Sequence, residues 1–296
     1  MVRSEVDPIL IEIKQKMPGH DRFIGSWACR GDVNIIADVG PANSADKLIG
    51  SLTAMGISRI DFILLTHIHI DHSGGLAQLL DQFPMAKAIC HGKGIRHLVE
   101  PSKLWHGSRQ ALGKIAEAYG YVLPVSRERL IPHTEPRIRG LKIIETPGHA
   151  PHHLSFCFRG HLFAGEAGGN YFTVNGKEYL RPATPPRFFL KHCLNSVDRL
   201  LAMEDQPICY AHFGQAGSSV RLLNMFRDQL MLWENIVREE ISGAQSDLVG
   251  RCAERVLRED PRLEAFQSMD ADTRNRERFF IANSIKGFAG FLQDNG

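Results

Sequence analysis

The chain has 296 residues, of which 43% are hydrophobic, and its 35 Lys and Arg residues against 33 Asp and Glu give a formal net charge of +2. This length is enough for a large buried core, and the ordinary apolar content excludes the disordered and fibrous classes of protein. The near-neutral balance gives no electrostatic reason to expect a nucleic acid or an anionic membrane as a partner.

The cysteines and the N-terminal sequence bear on the compartment in which the protein works. The six cysteines form no Cys-x-x-Cys pair and most lie in apolar, strand-like runs, so we expect buried free thiols rather than a disulfide framework. The first residues mix charged and apolar side chains without the apolar core of a signal peptide. No stretch approaches the about 20 apolar residues of a membrane span. We therefore expect a cytoplasmic protein.

Strands and helices alternate along most of the chain, which indicates an α/β protein. The first part predicts strands at 9–13, 23–29, 33–39, 60–65 and 86–90, with helices at 44–55 and 76–83. The second part predicts a helical excursion at 100–120, strands at 137–145, 153–158 and 161–164, a helix at 187–203 and a last strand at 207–210. After Gly217 the pattern changes, and three charged amphipathic helices are predicted at 218–241, 247–258 and 274–292.

A dense group of potential ligands follows the predicted strand at 60–65. In the pattern His67-x-His69-x-Asp71-His72, alternate residues share a face if the segment is extended. His67 and His69 can therefore reach one ion while the following turn directs Asp71 and His72 to a second. Neutral imidazole suits zinc and iron, and a carboxylate adds neutralising charge. Four potential ligands within six residues predict a metal site rather than a set of surface histidines.

The segment from Thr66 to Gly75 resembles the HxHxDH signature of the metallo-β-lactamase superfamily. Later landmarks follow in the order typical of that family: Thr146-Pro147-Gly148-His149, Phe163-Ala164-Gly165-Glu166 and Tyr210-Ala211-His212-Phe213-Gly214. The resemblance covers about residues 8–215. It implies an αββα sandwich of two mixed β-sheets flanked by helices, with a catalytic domain at 1–217. Residues 218–296 would form a C-terminal helical extension, packed on that domain or used in a homodimer.

The resemblance also implies a ligand set for two divalent metal ions. The first ion would be held by His67, His69 and His149. The second would be held by Asp71, His72 and His212, with Glu166 between the two ions. Zinc is the expected metal, and iron and manganese remain alternatives.

Glu166 departs from the family pattern, which usually has Asp at this position. The extra methylene displaces the carboxylate by about one C–C bond length. Glu166 could therefore bridge a shifted pair of ions, bind one ion only, or leave the second site weak. A hard oxygen ligand also favours iron or manganese over zinc.

Two further residues are weaker candidates for the site. His153 follows His149 closely and could orient a ligand through its second ring nitrogen. Tyr171 lies in a segment that could overhang the metals and touch a substrate. Both residues are therefore candidates for orienting a ligand or for contacting a substrate.

The resemblance implies a hydrolase of the glyoxalase II-like or lactonase-like branch, which attacks a small ester, thioester or lactone through a metal-bound hydroxide. Asp71 would orient that nucleophile and pass its proton to the leaving group. The alternative is a redox enzyme on the same fold, such as a mononuclear non-haem iron dioxygenase acting on a persulfide. A non-catalytic scaffold is a third hypothesis, and the intact ligand set argues against it.

Overall fold

The computed structural model describes residues 7–243 and 246–295, and its core is built from two large β-sheets. The strands of the first sheet are β1 (Ile9–Glu12), β2 (Gly25–Cys29), β3 (Ile35–Ala37), β4 (Phe62–Leu64), β5 (Lys87–Cys90) and β6 (Leu130–Pro132). They lie in sequence order, antiparallel from β1 to β3 and parallel from β3 to β6.

The second half of the chain forms a second sheet and a separate hairpin. Its strands are β7 (Leu141–Glu145), β8 (Leu154–Phe158), β9 (His161–Gly165), β10 (Asn170–Val174), β11 (Lys177–Arg181), β12 (Ile208–Tyr210) and β13 (Gly214–Ala216). The second sheet has the order β13-β12-β9-β8-β7, in which only the β12–β9 pair is parallel, while β10 and β11 pair with each other.

Helices cover the outer faces of both sheets. They are α1 (Ala45–Ala54), α2 (Ile70–Ser73), α3 (Leu76–Gln82), α4 (Gly92–Val99), α5 (Ser102–Leu112), α6 (Lys114–Tyr119), α7 (Leu190–Leu201), α8 (Ser219–Gly243), α9 (Leu248–Glu259) and α10 (Ala271–Asn295). Short 3₁₀ helices lie at Ala42–Ser44, Arg127–Arg129 and Pro261–Ser268. Within the described ranges, none of these helices combines the length and the apolar character needed to cross a membrane.

The apolar side chains fall into three layers, as the alternation of strand side chains requires. On β2, Trp27 and Cys29 point into the space between the two sheets and meet Phe156 of the second sheet. Ala28, between them in sequence, points outward to the layer beneath α1 and α3. A third layer joins the outer face of the second sheet to the C-terminal helices, with Trp233 at its centre. The αββα sandwich with a C-terminal helical extension is therefore confirmed.

Several elements were absent from the sequence-based prediction. The structure adds α4, β6, the β10–β11 hairpin and β13, which follows the strand predicted to be last. The hairpin turns at Asn175 and Gly176, with φ values of 50° and 79°. An Asn-Gly pair with both φ values positive is the strongest short-range signal for a two-residue hairpin, so this element could have been predicted. Strand β13, with the sequence Gly-Gln-Ala, has no apolar pattern to detect.

Two other predictions, for the helical region at 100–120 and for the cysteines, agree more closely with the structure. The region with a helical pattern at 100–120 contains two helices, α5 and α6, which are separated by Gly113 with a φ of 55°. All six cysteines are free and buried. Burial was predicted for the four in apolar, strand-like runs, which are Cys29, Cys90, Cys157 and Cys209.

The layer between the sheets should be the least tolerant of lost volume. Phe156 is 0% exposed within it. We expect Phe156→Ala to lower the free energy of unfolding by about 3–5 kcal/mol, because the truncation removes apolar burial and leaves a cavity. Phe189, which is 53% exposed, supplies the matched control Phe189→Ala. Equilibrium urea unfolding of both variants measures the difference, and equal losses would contradict the assignment of the core.

Candidate metal centre

All seven predicted ligands lie at one edge of the sandwich, beyond the carboxyl ends of strands. His67 and His69 follow β4, Asp71 and His72 lie in α2, His149 follows β7, Glu166 follows β9 and His212 follows β12. Sites in α/β folds commonly form where strands end, because the loops there are free of sheet pairing. The backbone at His69 is extended, with φ −61° and ψ 151°, and α2 then turns the chain. This change of direction separates the four neighbouring ligands into two groups.

The first group contains His67, His69 and His149. The distance from His67 Nε2 to His69 Nδ1 is 3.0 Å, and that from His69 Nδ1 to His149 Nε2 is 2.9 Å. Ligand nitrogens about 2.0–2.1 Å from a tetrahedral zinc ion would lie about 3.3 Å apart, close to these values. The three ring nitrogens therefore converge as ligands of a single ion do.

The second group contains Asp71, His72 and His212, whose ligand atoms all lie within 4.8 Å of one another. Asp71 Oδ2 lies 3.7 Å from His72 Nε2 and 3.5 Å from His212 Nε2. Glu166 Oε1 joins this group, at 2.9 Å from His72 Nε2 and 3.0 Å from His212 Nε2. Its second oxygen lies 3.5 Å from Nδ1 of His67, on the far side of that ring from the first group. Glu166 thus lies against the second group of ligands.

Oxygen acceptors at Nδ1 determine which ring nitrogen of these histidines carries the proton. His149 Nδ1 donates to the Ala183 carbonyl at 2.8 Å, and His212 Nδ1 donates to the Phe23 carbonyl at 3.3 Å. His72 Nδ1 donates to Asp38 Oδ2 at 2.9 Å. A carbonyl or carboxylate oxygen accepts only, so the proton of each neutral ring lies on Nδ1 and the lone pair on Nε2. In each ring the free lone pair belongs to the nitrogen that faces the ligand groups.

Glu166 tests whether a cation fits this arrangement. The residue is 2% exposed, and neither carboxylate oxygen has a hydrogen-bond partner among the described residues. His72 Nε2, which lies beside it, is also buried without a hydrogen bond. A carboxylate facing two nitrogen lone pairs is a costly arrangement unless a positive ion lies among them. The donor set therefore fits divalent metal ions.

Burial and charge shift the pKa values of these groups in opposite directions. Burial lowers the pKa of His67 and His69 well below its usual value, and neighbouring histidines lower it further. Burial alone would also lower the pKa of His72, but Glu166, Asp71 and Asp38 outweigh it and hold that pKa well above its usual value. Burial would raise the pKa of Glu166, yet the surrounding imidazoles, His72 first, keep it well below its usual value. The first group thus consists of neutral imidazoles and Glu166 is an ionised carboxylate, whereas a metal ion at the second group would have to displace a proton from His72.

Asp38 is a site residue that the sequence-based reasoning missed. Its Oδ2 accepts from His72 Nδ1 and, at 2.7 Å, from the hydroxyl of Thr66. That hydroxyl in turn lies 3.1 Å from Nδ1 of His67, so Asp38 orients one histidine of each group. The residue has a φ of 55°, and its Oδ1 accepts from the backbone N–H of Thr66 at 2.8 Å. The available signal was its place at the end of β3, directly beside the strand that precedes the histidines.

The two weaker candidates lie in different surroundings. His153 Nε2 accepts from the backbone N–H of Glu166 at 3.1 Å, and its Nδ1 lies 2.8 Å from the hydroxyl of Thr146. It therefore holds the chain that carries Glu166. The hydroxyl of Tyr171 donates to Glu178 at 2.7 Å, and burial together with that carboxylate raises the pKa of Tyr171 to about 12. Tyr171 thus bonds to the neighbouring strand and to none of the predicted ligands.

Comparison with known proteins identifies the family. Residues 26–212 match the model of the metallo-beta-lactamase superfamily, and the chain belongs to that superfamily. It is accordingly a hydrolase of a superfamily that binds divalent metals.

Individual relatives extend the similarity beyond the matched region. A metallo-beta-lactamase fold-containing protein of Sulfurisphaera tokodaii is 28% identical over 241 residues, which cover 78% of this chain and 87% of that protein. A hydroxyacylglutathione hydrolase of Aeromonas hydrophila is 26% identical over 203 residues, 68% of this chain and 65% of that enzyme. The crystal structure of an archaeal superfamily protein from Sulfolobus tokodaii aligns with a TM-score of 0.66 at 22% identity, over 96% of this chain and 99% of that one. The fold of that structure therefore includes the C-terminal helices.

Asp38→Asn should weaken metal binding without disturbing the backbone, because Asn also tolerates a positive φ. The amide nitrogen would replace the oxygen that accepts from His72 and Thr66. We expect metal affinity to fall about 10–100-fold, as is typical when a partner of a ligand histidine is lost. Competition with a chromophoric chelator measures the affinity, and the exposed Asp46→Asn is the control. Unchanged affinity in Asp38→Asn would show that Asp38 does not orient the ligands.

Proposed function

We propose that this protein hydrolyses a small ester, thioester or lactone with two divalent metal ions, zinc being the expected metal. One observation carries the proposal: the Nε2 atoms of His72 and His212 converge on a buried oxygen of Glu166, beside a separate triad of histidine nitrogens, and neither His72 Nε2 nor that oxygen has a hydrogen bond among the described residues. The triad of His67, His69 and His149 would hold the first ion. Asp71, His72, His212 and Glu166 would hold the second.

Bound metal ions supply Lewis acidity and lower the pKa of a bound water towards neutrality. The residues of this chain provide the geometry. Three of the ligand histidines are oriented by oxygens that fix their tautomers, and Asp38 couples the two groups. Asp71 has a side chain 15% exposed, compared with 1% for Glu166, so it is the carboxylate open to a substrate. Its Oδ2 would orient the attacking water, accept its proton and return that proton to the leaving group.

Two findings support an acyl substrate rather than a nucleic acid. One of the relatives is a hydroxyacylglutathione hydrolase, whose substrate is a thioester. The formal net charge of +2 offers no extended positive field for a polyanion. The second group of ligands also favours hydrolysis over the mononuclear iron alternative, because a single-ion enzyme has no need of it.

The donor set of the two groups suits more than one metal. Imidazole nitrogens suit zinc, whereas the buried carboxylate of Glu166 also suits iron and manganese. Glu166 Oε1 lies near the second group while Oε2 faces Nδ1 of His67, which supports binding to one ion rather than bridging two. Elemental analysis of the protein as isolated identifies the metal and its stoichiometry.

Hydrolysis should depend on the metals and on Asp71. We expect chelation to abolish turnover of a thioester, ester and lactone panel, and readdition of the metal found by elemental analysis to restore it. Asp71→Asn should lower kcat by about 10²–10⁴-fold, because the amide cannot accept the proton of the water. Steady-state kinetics with the metal content measured on the same samples checks both effects.

Glu178→Gln is the matched control, since Glu178 is a partly exposed carboxylate bonded to Tyr171 and Arg221. Two results together would refute the proposal. Metal-loaded protein would have to turn over none of these substrates, nor a phosphodiester, and Glu166→Asp, which restores the usual family residue, would have to be equally inactive.

A further inference from the structure

Two of the ligand histidines depend on backbone carbonyls that lie outside the strands. His149 is oriented by Ala183, which follows β11, and His212 is oriented by Phe23, which precedes β2. A carbonyl can orient a histidine ring only if the backbone segment that carries the carbonyl is itself fixed in position. The segment at residues 182–185 (the Ala183 segment) and the turn at residues 19–23 (the Phe23 segment) are both held by helix α10 of the C-terminal extension.

The Ala183 segment is bonded to Ser284 of α10 from both sides. The Ser284 hydroxyl donates to the Pro182 carbonyl at 3.0 Å and accepts from the backbone N–H of Thr184 at 3.3 Å. The Thr184 hydroxyl donates to the Ser284 carbonyl at 3.1 Å. These bonds flank Ala183 directly, so they set the position of the oxygen that accepts from His149.

Gly287 lets α10 approach this segment closely. A Cβ added at Gly287 would lie 1.9 Å from the Thr184 carbonyl oxygen and 3.0 Å from that of Pro185. Both contacts are with backbone, which cannot move aside as a flexible side chain can. The glycine is therefore required for the contact between α10 and the Ala183 segment.

The Phe23 segment is held by Arg276 of the same helix. The Arg276 guanidinium donates to the Gly19 carbonyl and lies 4.2 Å from the centroid of the Phe23 ring. That ring in turn lies 4.6 Å from the ring of His212, while the Phe23 carbonyl accepts from His212 Nδ1. One cation of α10 thus contacts both the ring that packs on His212 and the turn at Gly19 that leads to the Phe23 carbonyl.

Buried charge links the two contacts. Glu277 is bonded by Arg276 at 2.8 Å and also by Arg181, which ends β11 just before the Ala183 segment. All three side chains are buried. Buried ion pairs contribute little net stability, because desolvation offsets their attraction. Their directional bonds instead hold α10, β11 and the Gly19–Phe23 turn in one relative position.

We propose that helix α10 positions the metal centre, holding His149 through the Ala183 segment and His212 through the Phe23 segment. The proposal rests on the metal sites assigned under the proposed function. In this view the C-terminal extension is required for metal retention, although it contributes no ligand, and Ser284 and Arg276 act as positioning residues.

The contact at the first group can be tested with two glycines of one helix. Gly287→Ala should displace the Ala183 segment and weaken binding at the His67–His69–His149 group about tenfold, the low end of the range for partners of ligand histidines. Gly290→Ala is the matched control, because a Cβ there meets nothing within 4 Å and gains the same helix propensity. Stepwise competition with a chromophoric chelator measures each affinity, and His149→Ala and His212→Ala assign the two steps.

The contact at the second group can be tested with two arginines of α10. Arg276→Met keeps the apolar stem but removes the bonds to Gly19 and Glu277 and the cation over Phe23. Because Glu277 keeps its bond to Arg181, we expect about tenfold weaker binding at the step assigned to His212 and little change at the other step. Arg278→Met is the control, because Arg278 is half-exposed and pairs with Glu254 on α9. The same titration resolves the two steps.

Metal affinity lost only at the expected step supports the proposal. Wild-type affinity in both Gly287→Ala and Arg276→Met overturns it and leaves the proposed function intact. Equal weakening of both steps together with a lowered unfolding midpoint also overturns it, since that result indicates general destabilisation. Should Gly287→Ala fail to fold, Ser284→Ala removes two of the bonds without adding volume. A wild-type chain that binds no metal would refute the proposed function itself.

Discussion

A hydrogen bond at Nδ1 decides what three of the five imidazoles in the two ligand groups can do. A neutral ring has one proton and one lone pair, so an oxygen acceptor at one nitrogen leaves the other as a ligand or acceptor. His72, His149 and His212 each meet such an oxygen. The geometry of the candidate ligands therefore depends on a carboxylate and two carbonyls that lie at the opposite ring nitrogen from the one facing the ligand groups. Displacing any of them would free a ring to rotate or to change tautomer.

The candidate metal centre also contains a buried carboxylate that its surroundings do not satisfy with hydrogen bonds. Glu166 is buried with both oxygens unbonded among the described residues, an arrangement that opposes folding until a cation is present. The three apolar layers offset this cost, since they lie on both faces of each sheet while the candidate ligands lie beyond the strand ends. A site whose local preferences conflict with the rest of the fold is typical of function. The backbone at Asp38, with its positive φ, shows a similar conflict beside the same ligands.

The sequence predicted the candidate ligands but not the groups that orient them. The HxHxDH segment could be assigned because ligand types at fixed spacing follow an apolar strand, and the order of the later landmarks led to His149 and His212. The carbonyls of Phe23 and Ala183 have no such signal, because every residue has one and only the folded path selects which oxygen meets a ring. Asp38 was detectable in principle, since it ends a strand parallel to β4. The role of α10 required contacts between residues about 100 positions apart in the chain.

Residue types alone do not make a metal ligand, as a second histidine group in this chain illustrates. His91, His133 and Glu145 follow or end neighbouring strands, and their polar atoms lie within 4.8 Å of one another. Here, however, Nδ1 of His91 accepts from the backbone N–H of Lys93 at 3.1 Å, and Nδ1 of His133 accepts from that of Gly92 at 3.3 Å.

With Nδ1 used as an acceptor in both rings, the proton of each neutral ring lies on Nε2, the reverse of the tautomer of His72, His149 and His212. His133 Nε2 accordingly donates to Glu145 at 2.9 Å, and this bond is the first cause of the lowered pKa of that carboxyl. The two rings stack with centroids 4.4 Å apart, as a pair of donors facing one carboxylate. Two groups of similar composition thus have opposite chemistry, because different backbone atoms meet their Nδ1 nitrogens.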